Sequence, residues 1–190
     1  MEMNMMELQT DTNQAIEHDH HNIIYFTTVQ DPFGWLDNMY PAPVRFEDAM
    51  VGEMMFGEMT FGSAEALFQW MRFDGHPDLQ RRIHAATTSK GARKIAKDNR
   101  GLLGNARNWD NQPLDLGRME RCLRLKMEQH PDLRERLVAT GDRVLIKNSA
   151  RTKGGAKKFW GAEFDQATNL WRGANIKGQM LMHLREEYSG

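Results

Sequence analysis

The chain has 190 residues, 40% of them hydrophobic, and a formal net charge of −1. This length is typical of one domain, and a nearly neutral chain can bind phosphates only through local basic patches. The single cysteine, Cys122, excludes a disulfide framework and is expected to be a buried apolar residue. No apolar run approaches the roughly 20 residues of a membrane span, and no secretory signal opens the chain. We therefore expect a cytoplasmic protein without membrane contact.

The N-terminal residues 1–21 are polar and acidic, and they predict a flexible tail that precedes one domain over residues 22–190. This tail contains the cluster His18-Asp19-His20-His21, which consists of potential metal ligands. Adjacent side chains cannot easily face one ion, and no further ligands are in view, so the cluster does not predict a metal site.

The elements of the domain can be predicted in chain order. The β-rich run Ile23-Ile24-Tyr25-Phe26-Thr27 predicts the first strand, and residues 44–60, interrupted by Gly52 and Gly57, predict a hairpin or two short strands. Helices follow over residues 64–73, with Ser63 as N-cap, and over residues 77–86, 89–99, 114–129 and 131–139. A short buried strand at residues 143–146 and a last helix at residues 176–187 complete an α+β fold, predominantly helical, with a small sheet.

The helix after Ser63 carries a polar line of side chains. Glu65, Gln69 and Arg72 are spaced i, i+4 and i+7, so they share one face. A carboxylate, an amide and a guanidinium in one line can bind a ribose ring and a phosphate. Alternatively, Glu65 is an acid favoured by the helix dipole, and Gln69 and Arg72 are solvated. Periodicity alone favours this second interpretation.

A basic stretch runs from Arg143 to Lys158, with six Lys or Arg residues, no acid, and Gly154-Gly155 near its middle. A flexible basic loop could close over a phosphate or pyrophosphate, and a solvated surface loop is the alternative. The spacing fits neither a Walker loop nor a dinucleotide fingerprint.

The start of the last helix has its own polar signals. Asn175 is a good N-cap, and Gly178 permits close packing. Arg172 and Lys177 stand near this helix N-terminus, which could also hold an anion.

Several motifs occur in a consistent order along the domain. They are residues 33–43 with Trp35 and Asn38, residues 63–72 with Glu65, Asn108-Trp109, residues 126–133, Thr140-Gly141-Asp142, Phe159-Trp160-Gly161, and residues 171–185. Together these motifs resemble those of the NADAR family, also called YbiA-like. The resemblance covers nearly the whole of residues 22–190.

The resemblance implies a helical α+β fold, hydrolysis of N-glycosidic bonds, and no metal or redox cofactor. Members of the family act on a phosphoribosylamino-pyrimidine or remove ADP-ribose from guanine bases in nucleic acid. The implied ligands are thus ADP-ribose, a phosphoribosyl compound, or ADP-ribosylated nucleic acid. Glu65 matches the catalytic glutamate, which would stabilise an oxocarbenium-like sugar. The candidate ligand-binding residues are Trp35, Asn38, Gln69, Arg72, Trp109, Lys147, Lys157, Trp160, Gly161, Arg172 and Asn175.

The chain departs from the family at two positions. Lys147 and Lys157 stand where acids are common, which shifts the local charge by about four units and favours an anionic ligand or an incomplete catalytic set. The motif lysine is also replaced, by Arg72. Alternatives for a second carboxylate are Asp142, Glu163 and Asp165. A catalytically weak ADP-ribose-binding module is therefore the alternative function, and a protein that binds partners through exposed methionines is a third.

Overall fold

The structure, a computed structural model, describes residues 8–16, 22–51, 54–103, 112–152 and 156–190. His18 to His21, Trp109 and Gly154-Gly155 lie outside these residues. The chain divides into two units. Unit 1 consists of Met1–Asp37 and Asp132–Gly190, and unit 2 consists of Asn38–Pro131.

Short strands and longer helices alternate along the described chain. The strands are β1 (Ala15–Ile16), β2 (Ile23–Phe26), β3 (Val44–Val51), β4 (Met54–Phe61), β5 (Val144–Lys147), β6 (Glu163–Asp165) and β7 (Leu170–Arg172). The helices are α1 (Ala64–Arg72), α2 (Pro77–His84), α3 (Ser89–Asp98), α4 (Gln112–Gln129), α5 (Pro131–Val138), α6 (Lys157–Trp160) and α7 (Ile176–Ser189). The predicted α+β fold with a helical majority is confirmed.

The strands form three small sheets within the described residues, where the sequence predicted one. β3 and β4 form the predicted antiparallel hairpin in unit 2. In unit 1, β2 pairs with β5 in parallel, and β7 lies between β1 and β6 in an antiparallel sheet. The sequence did not predict β1, β6, β7 or α6, because elements of two to four residues are too short to show a hydrophobic period.

Residues 8–16 of the predicted tail lie against other parts of unit 1. Ala15 and Ile16 pair with β7, and Leu8 is buried. Gln9 exchanges two hydrogen bonds with the side chain of Gln179 on α7: its N–H donates to Oε1 at 2.9 Å, and its carbonyl accepts from Nε2 at 2.8 Å. The described part of the tail is therefore held by β7 and α7.

Helix α1 is the centre of unit 2, where it contacts α2, α3, α4 and the hairpin. Ser63 caps it as predicted, since its Oγ accepts a hydrogen bond from the N–H of Ala66 at 3.2 Å. Every residue from Ala64 to Trp70 is buried, and the Trp70 ring packs edge-on against Phe46 and Phe61. The polar residues of this helix therefore lie inside the unit.

No helix among the described residues has the length and apolar character required to cross a membrane.

Asn175 connects α7 to β5 in unit 1. It occupies the predicted N-cap position with a left-handed backbone (φ 53°, ψ 39°), which asparagine tolerates better than most residues. Its side chain makes no cap hydrogen bond, however. Instead, Oδ1 accepts from the N–H of Lys147 at 3.0 Å, and Nδ2 donates to the carbonyl of Leu145 at 2.8 Å. The predicted capping role is corrected to a link between helix and strand.

Replacing Gly178 by alanine is expected to destabilise unit 1 by roughly 2–3 kcal/mol, measured by chemical denaturation. A Cβ at this position would lie 2.0 Å from the carbonyl oxygen of Leu145 and 2.3 Å from Nδ2 of Asn175, so α7 would have to move away from β5. Gly117→Ala on α4 is the matched control. A Cβ there meets no atom within 4 Å, and the change should stabilise by about 0.5–1 kcal/mol. Equal effects of the two substitutions would contradict the close packing at Gly178.

Asp31 makes unit 1 sensitive to acid. The backbone N–H groups of Thr28 and Thr27 donate to its carboxylate and, as the main causes, hold the pKa of Asp31 below its ordinary value of 3.8. Because the unfolded chain takes up this proton first, the stabilisation is complete above about pH 3.8 and is lost as the pH falls through the lowered pKa. Asp31→Asn should flatten the acid limb of a plot of unfolding free energy against pH.

Candidate functional site

The Glu65 carboxylate is fixed at the start of α1 by Asn38, within unit 2. The backbone carbonyl of Asn38 accepts from the N–H of Glu65 at 2.8 Å, and the Asn38 amide Nδ2 donates to Oε2 of Glu65. One residue thus holds both the backbone and the side chain of Glu65. The glutamate is only 4% exposed, so its carboxylate has a defined position rather than a solvated, mobile one.

A chain of hydrogen bonds extends from Glu65 along α1. Nε2 of Gln69 donates to Oε1 of Glu65 at 2.9 Å, and Oε1 of Gln69 accepts from Arg72 at 3.3 Å. The Arg72 guanidinium then pairs with Asp115 of α4 at 3.0 Å, and Asp115 also pairs with Arg118 at 3.1 Å. The predicted line of Glu65, Gln69 and Arg72 is present. The alternative that Gln69 and Arg72 are solvated is wrong, because both are engaged inside unit 2.

Arg93 of α3 is a neighbour of Glu65 that the sequence analysis did not single out. Its Nε lies 3.9 Å from Oε1 of Glu65, and NH1 lies 3.5 Å from the sulfur of Met39. The side chain is 51% exposed. The only signal for it in the sequence is that the predicted helix at residues 89–99 is rich in basic residues, with Lys90, Arg93, Lys94 and Lys97.

A hydroxyl pair places α3 beside the start of α1. The oxygens of Ser63 and Ser89 are 2.8 Å apart, and Ser89 also lies 3.0 Å from the carbonyl of Met39. A consistent arrangement has Ser89 donate to Met39 and Ser63 donate to Ser89, which leaves the Ser63 oxygen free to accept from Ala66. The first turns of α1 and α3 are thereby held together, and Arg93 lies one turn further along α3.

Cys122 is fully buried within unit 2, as predicted. Burial is the main cause that raises the pKa of its thiol well above the ordinary value, and the Glu65 carboxylate raises it further. Because only the thiolate is a strong nucleophile, Cys122 is unsuited to covalent catalysis at neutral pH.

Lys147 is neutralised inside unit 1. Its Nζ forms a salt bridge with Oδ2 of Asp37 and donates to the carbonyl of Thr27 at 2.6 Å, and its side chain is only 11% exposed. The positive charge of Lys147 is therefore neutralised by Asp37, which is distant from it in sequence.

The other basic candidates of unit 1 are also paired. Lys157 contacts Glu163 at 2.7 Å, and Arg172 contacts Asp165 at 3.2 Å. The Thr168 hydroxyl, the Ala167 N–H and Arg172 together lower the pKa of Asp165. These pairs occupy Glu163 and Asp165, two of the alternatives for a second carboxylate.

Gly161 lies against Lys147 and Asn175. A Cβ on Gly161 would come within 2.3 Å of the Lys147 carbonyl, and the Gly161 carbonyl accepts from the N–H of Asn175 at 3.1 Å.

The tryptophan candidates of unit 1 pack against other side chains. Trp160 packs edge-on against Phe159, and the Trp35 ring is covered by the Arg136 guanidinium at 4.4 Å from the ring centre. Trp35 is only 4% exposed, so its face is occupied by Arg136 rather than open.

The structure thus gathers the predicted site residues in two places. Unit 2 brings together Asn38, Glu65, Gln69 and Arg72, and unit 1 brings together Lys147, Gly161 and Asn175. The remaining described candidates each contact other side chains; they are Trp35, Lys157, Trp160 and Arg172. The described residues contain no group of three or more His, Cys, Asp or Glu residues that could hold a metal ion.

Comparison with known proteins gives a consistent result. The model of the NADAR domain family matches residues 25–189. The chain is 30% identical over 166 residues to an N-glycosidase of Nostoc punctiforme, covering 86% of this chain and 91% of that protein. It is 27% identical over 165 residues to the N-glycosidase YbiA of Escherichia coli, covering 87% and 88%. The NMR structure of E. coli YbiA superposes with a TM-score of 0.65 at 23% identity, over 97% of this chain and 94% of that one, and supports the fold.

Proposed function

The chain belongs to the NADAR family, and on that basis we propose that it is an N-glycosidase, a hydrolase that breaks the bond between a ribosyl group and a base. The observation that carries the proposal is the fixed, nearly buried carboxylate of Glu65. Breaking an N-glycosidic bond creates oxocarbenium character at C1′ of the sugar, and a preorganised carboxylate beside that sugar stabilises the charge.

The hydrogen bonds of Glu65 leave room for such a role. Each carboxylate oxygen can accept about two hydrogen bonds, and Asn38 and Gln69 supply one donor to each oxygen. The remaining acceptor capacity suits the vicinal hydroxyls of a ribose or an attacking water. In the overall reaction the C1′–N bond breaks, water adds its oxygen to C1′, and the base nitrogen gains a proton.

The substrate that we propose is an ADP-ribosylated base, of the guanine type in nucleic acid, or a related phosphoribosyl-amine compound, met in the cytoplasm. The charges around Glu65 support an anionic substrate. Among the described residues, the ion pairs at Glu65 join three guanidinium groups to two carboxylates and so carry one excess positive charge; the members of this cluster are Arg72, Arg93, Arg118, Glu65 and Asp115. These compounds carry phosphate next to the ribose whose N-glycosidic bond is broken.

A second candidate function is the binding of ADP-ribose without efficient hydrolysis. Lys147 favours it, because a cation neutralised by Asp37 stands where an acid is common in the family, which leaves the catalytic set incomplete. In that case Glu65 would bind the ribose of the ligand, and the N-glycosidic bond would stay intact.

One experiment separates the two functions. The protein is incubated with DNA carrying ADP-ribosylated guanosine and, separately, with the phosphoribosylamino-pyrimidine, and the products are resolved by chromatography. Free base or free sugar phosphate supports the hydrolase. Tight binding of ADP-ribose in calorimetry, without product from either compound, would establish the binding module instead.

A further inference from the structure

Arg93 is the exposed cation of the Glu65 cluster. Within the described residues its guanidinium contacts Oε1 of Glu65 at 3.9 Å and the Met39 thioether at 3.5 Å. The first contact is too long for a good hydrogen bond, and a thioether is a weak acceptor. A guanidinium has five N–H donors, so most of the hydrogen-bonding capacity of Arg93 is available to a ligand.

The other two guanidiniums of the cluster are committed to protein partners. Arg72 and Arg118 share the carboxylate of Asp115, at 3.0 and 3.1 Å. Their side chains are 12% and 23% exposed, compared with 51% for Arg93. A phosphate that approached Arg72 would have to compete with a buried ion pair, whereas one that approached Arg93 would replace only two weak contacts.

We propose that Arg93 is a specificity-determining residue that binds the phosphate attached to the ribosyl group of the substrate. This inference rests on the proposed function, since it assumes that the sugar lies at Glu65. The Arg93 guanidinium lies 3.9 Å from the Glu65 carboxylate at the end of a long, half-exposed side chain, so it can turn to the 5′-phosphate of a ribose bound at Glu65. Planar guanidinium groups bind phosphate oxygens through two parallel hydrogen bonds.

The position of Arg93 is defined by its helix. The Ser63–Ser89 contact holds the start of α3 beside the start of α1, so Arg93 can turn towards a ligand without movement of the backbone. The next residue, Lys94, pairs with Asp98 at 2.5 Å on the same helix. Lys94 has the same charge and is also exposed, at 76%, but it pairs with Asp98 rather than with Glu65, which makes it a matched control.

The test compares two substrates that differ only in phosphate: an N-riboside 5′-phosphate and the same N-riboside without phosphate. The wild-type ratio of kcat/KM between them should be at least about tenfold, the effect of one or two hydrogen bonds to a charged group. Arg93→Gln should bring this ratio to within about twofold of unity, mainly by raising KM for the phosphorylated compound. Arg93→Lys should keep part of the preference, and Lys94→Gln should keep all of it.

Two outcomes would overturn the role of Arg93. A ratio in Arg93→Gln equal to that of wild type would show that another group binds the phosphate. A ratio that also collapses in Lys94→Gln would show that any charge on α3 has this effect. If wild type cleaves neither riboside and also releases no product from the ADP-ribosylated DNA or the phosphoribosylamino-pyrimidine, the proposed function fails. Calorimetry with ribose 5-phosphate and ribose then tests Arg93 alone: phosphate-dependent binding lost in Arg93→Gln supports the role, and binding retained in that variant refutes it.

Discussion

Glu65→Gln is expected to lower kcat for N-glycosyl hydrolysis by at least about 100-fold, the typical loss when one preorganised electrostatic contact to a transition state is removed. Glutamine has almost the same shape but no negative charge to stabilise the oxocarbenium-like sugar. Its amide also cannot accept from both Asn38 and Gln69 in the present geometry, because its NH2 group would face one of these donors. The rate is measured as release of free base under saturating substrate.

The control for this experiment is Glu58→Gln, which makes the same chemical change at an exposed position of the hairpin, where Glu58 contacts Arg45 at 3.8 Å. We expect a rate within twofold of wild type. Circular dichroism at the assay temperature establishes that both variants are folded. A Glu65→Gln enzyme that retains more than a tenth of the wild-type kcat would remove Glu65 from the catalytic role.

Lys147→Met is expected to lower the free energy of unfolding by about 3–5 kcal/mol, because it leaves the Asp37 carboxylate buried without its cation. The substitution also removes the hydrogen bond to the Thr27 carbonyl. Chemical denaturation followed by tryptophan fluorescence measures the change. Adding Asp37→Asn to Lys147→Met should recover about half of the loss or more, since no buried carboxylate has then lost its cation.

Lys157→Met is the matched control for Lys147→Met. The sequence presents the two lysines alike, as replacements of family acids, but Lys157 and its partner Glu163 are 36% and 24% exposed. An exposed pair of this kind contributes at most about 1 kcal/mol. If the two substitutions lower the free energy of unfolding equally, burial of the Lys147–Asp37 pair does not explain its contribution to stability.

Helix α1 shows what local sequence can predict about the site. The cap at Ser63 and the spacing of Glu65, Gln69 and Arg72 depend only on residues within the helix, and the structure has both. The burial of these residues depends on Asn38 and Asp115, which come from distant parts of the chain. No period in the sequence encodes such partners, so a buried polar network looked like an exposed polar face.

Lys147 and Asn175 show the same limit in unit 1. Lysine at position 147 suggested a free positive charge, and the structure pairs it with Asp37. Asparagine before a helix suggested a cap, and its side chain instead reaches strand β5. In both cases the residue type and position were informative, while the partner was determined by tertiary structure.

Arg93 was missed for a related reason. A basic residue on a helix with several lysines is ordinarily solvated, and its proximity to Glu65 follows only from the packing of α3 against α1. The family resemblance, by contrast, drew on order and spacing along the whole domain. It therefore predicted the fold, which is confirmed, and it singled out Glu65 as the catalytic candidate where local patterns alone favoured a plain surface acid.

The parallel pairing of β2 with β5 has a consequence for biosynthesis. Strand β2 leaves the ribosome before its partner β5, which is made only after the whole of unit 2, because unit 2 lies between the two strands in sequence. Unit 2 is continuous in sequence and can fold while the chain is still being synthesised. The apolar residues Ile23 to Phe26 of β2, in contrast, stay unpaired until β5 has been made. An unpaired apolar strand is a template for aggregation. Slow or interrupted translation between the end of unit 2 and strand β5 should therefore lower the yield of folded protein.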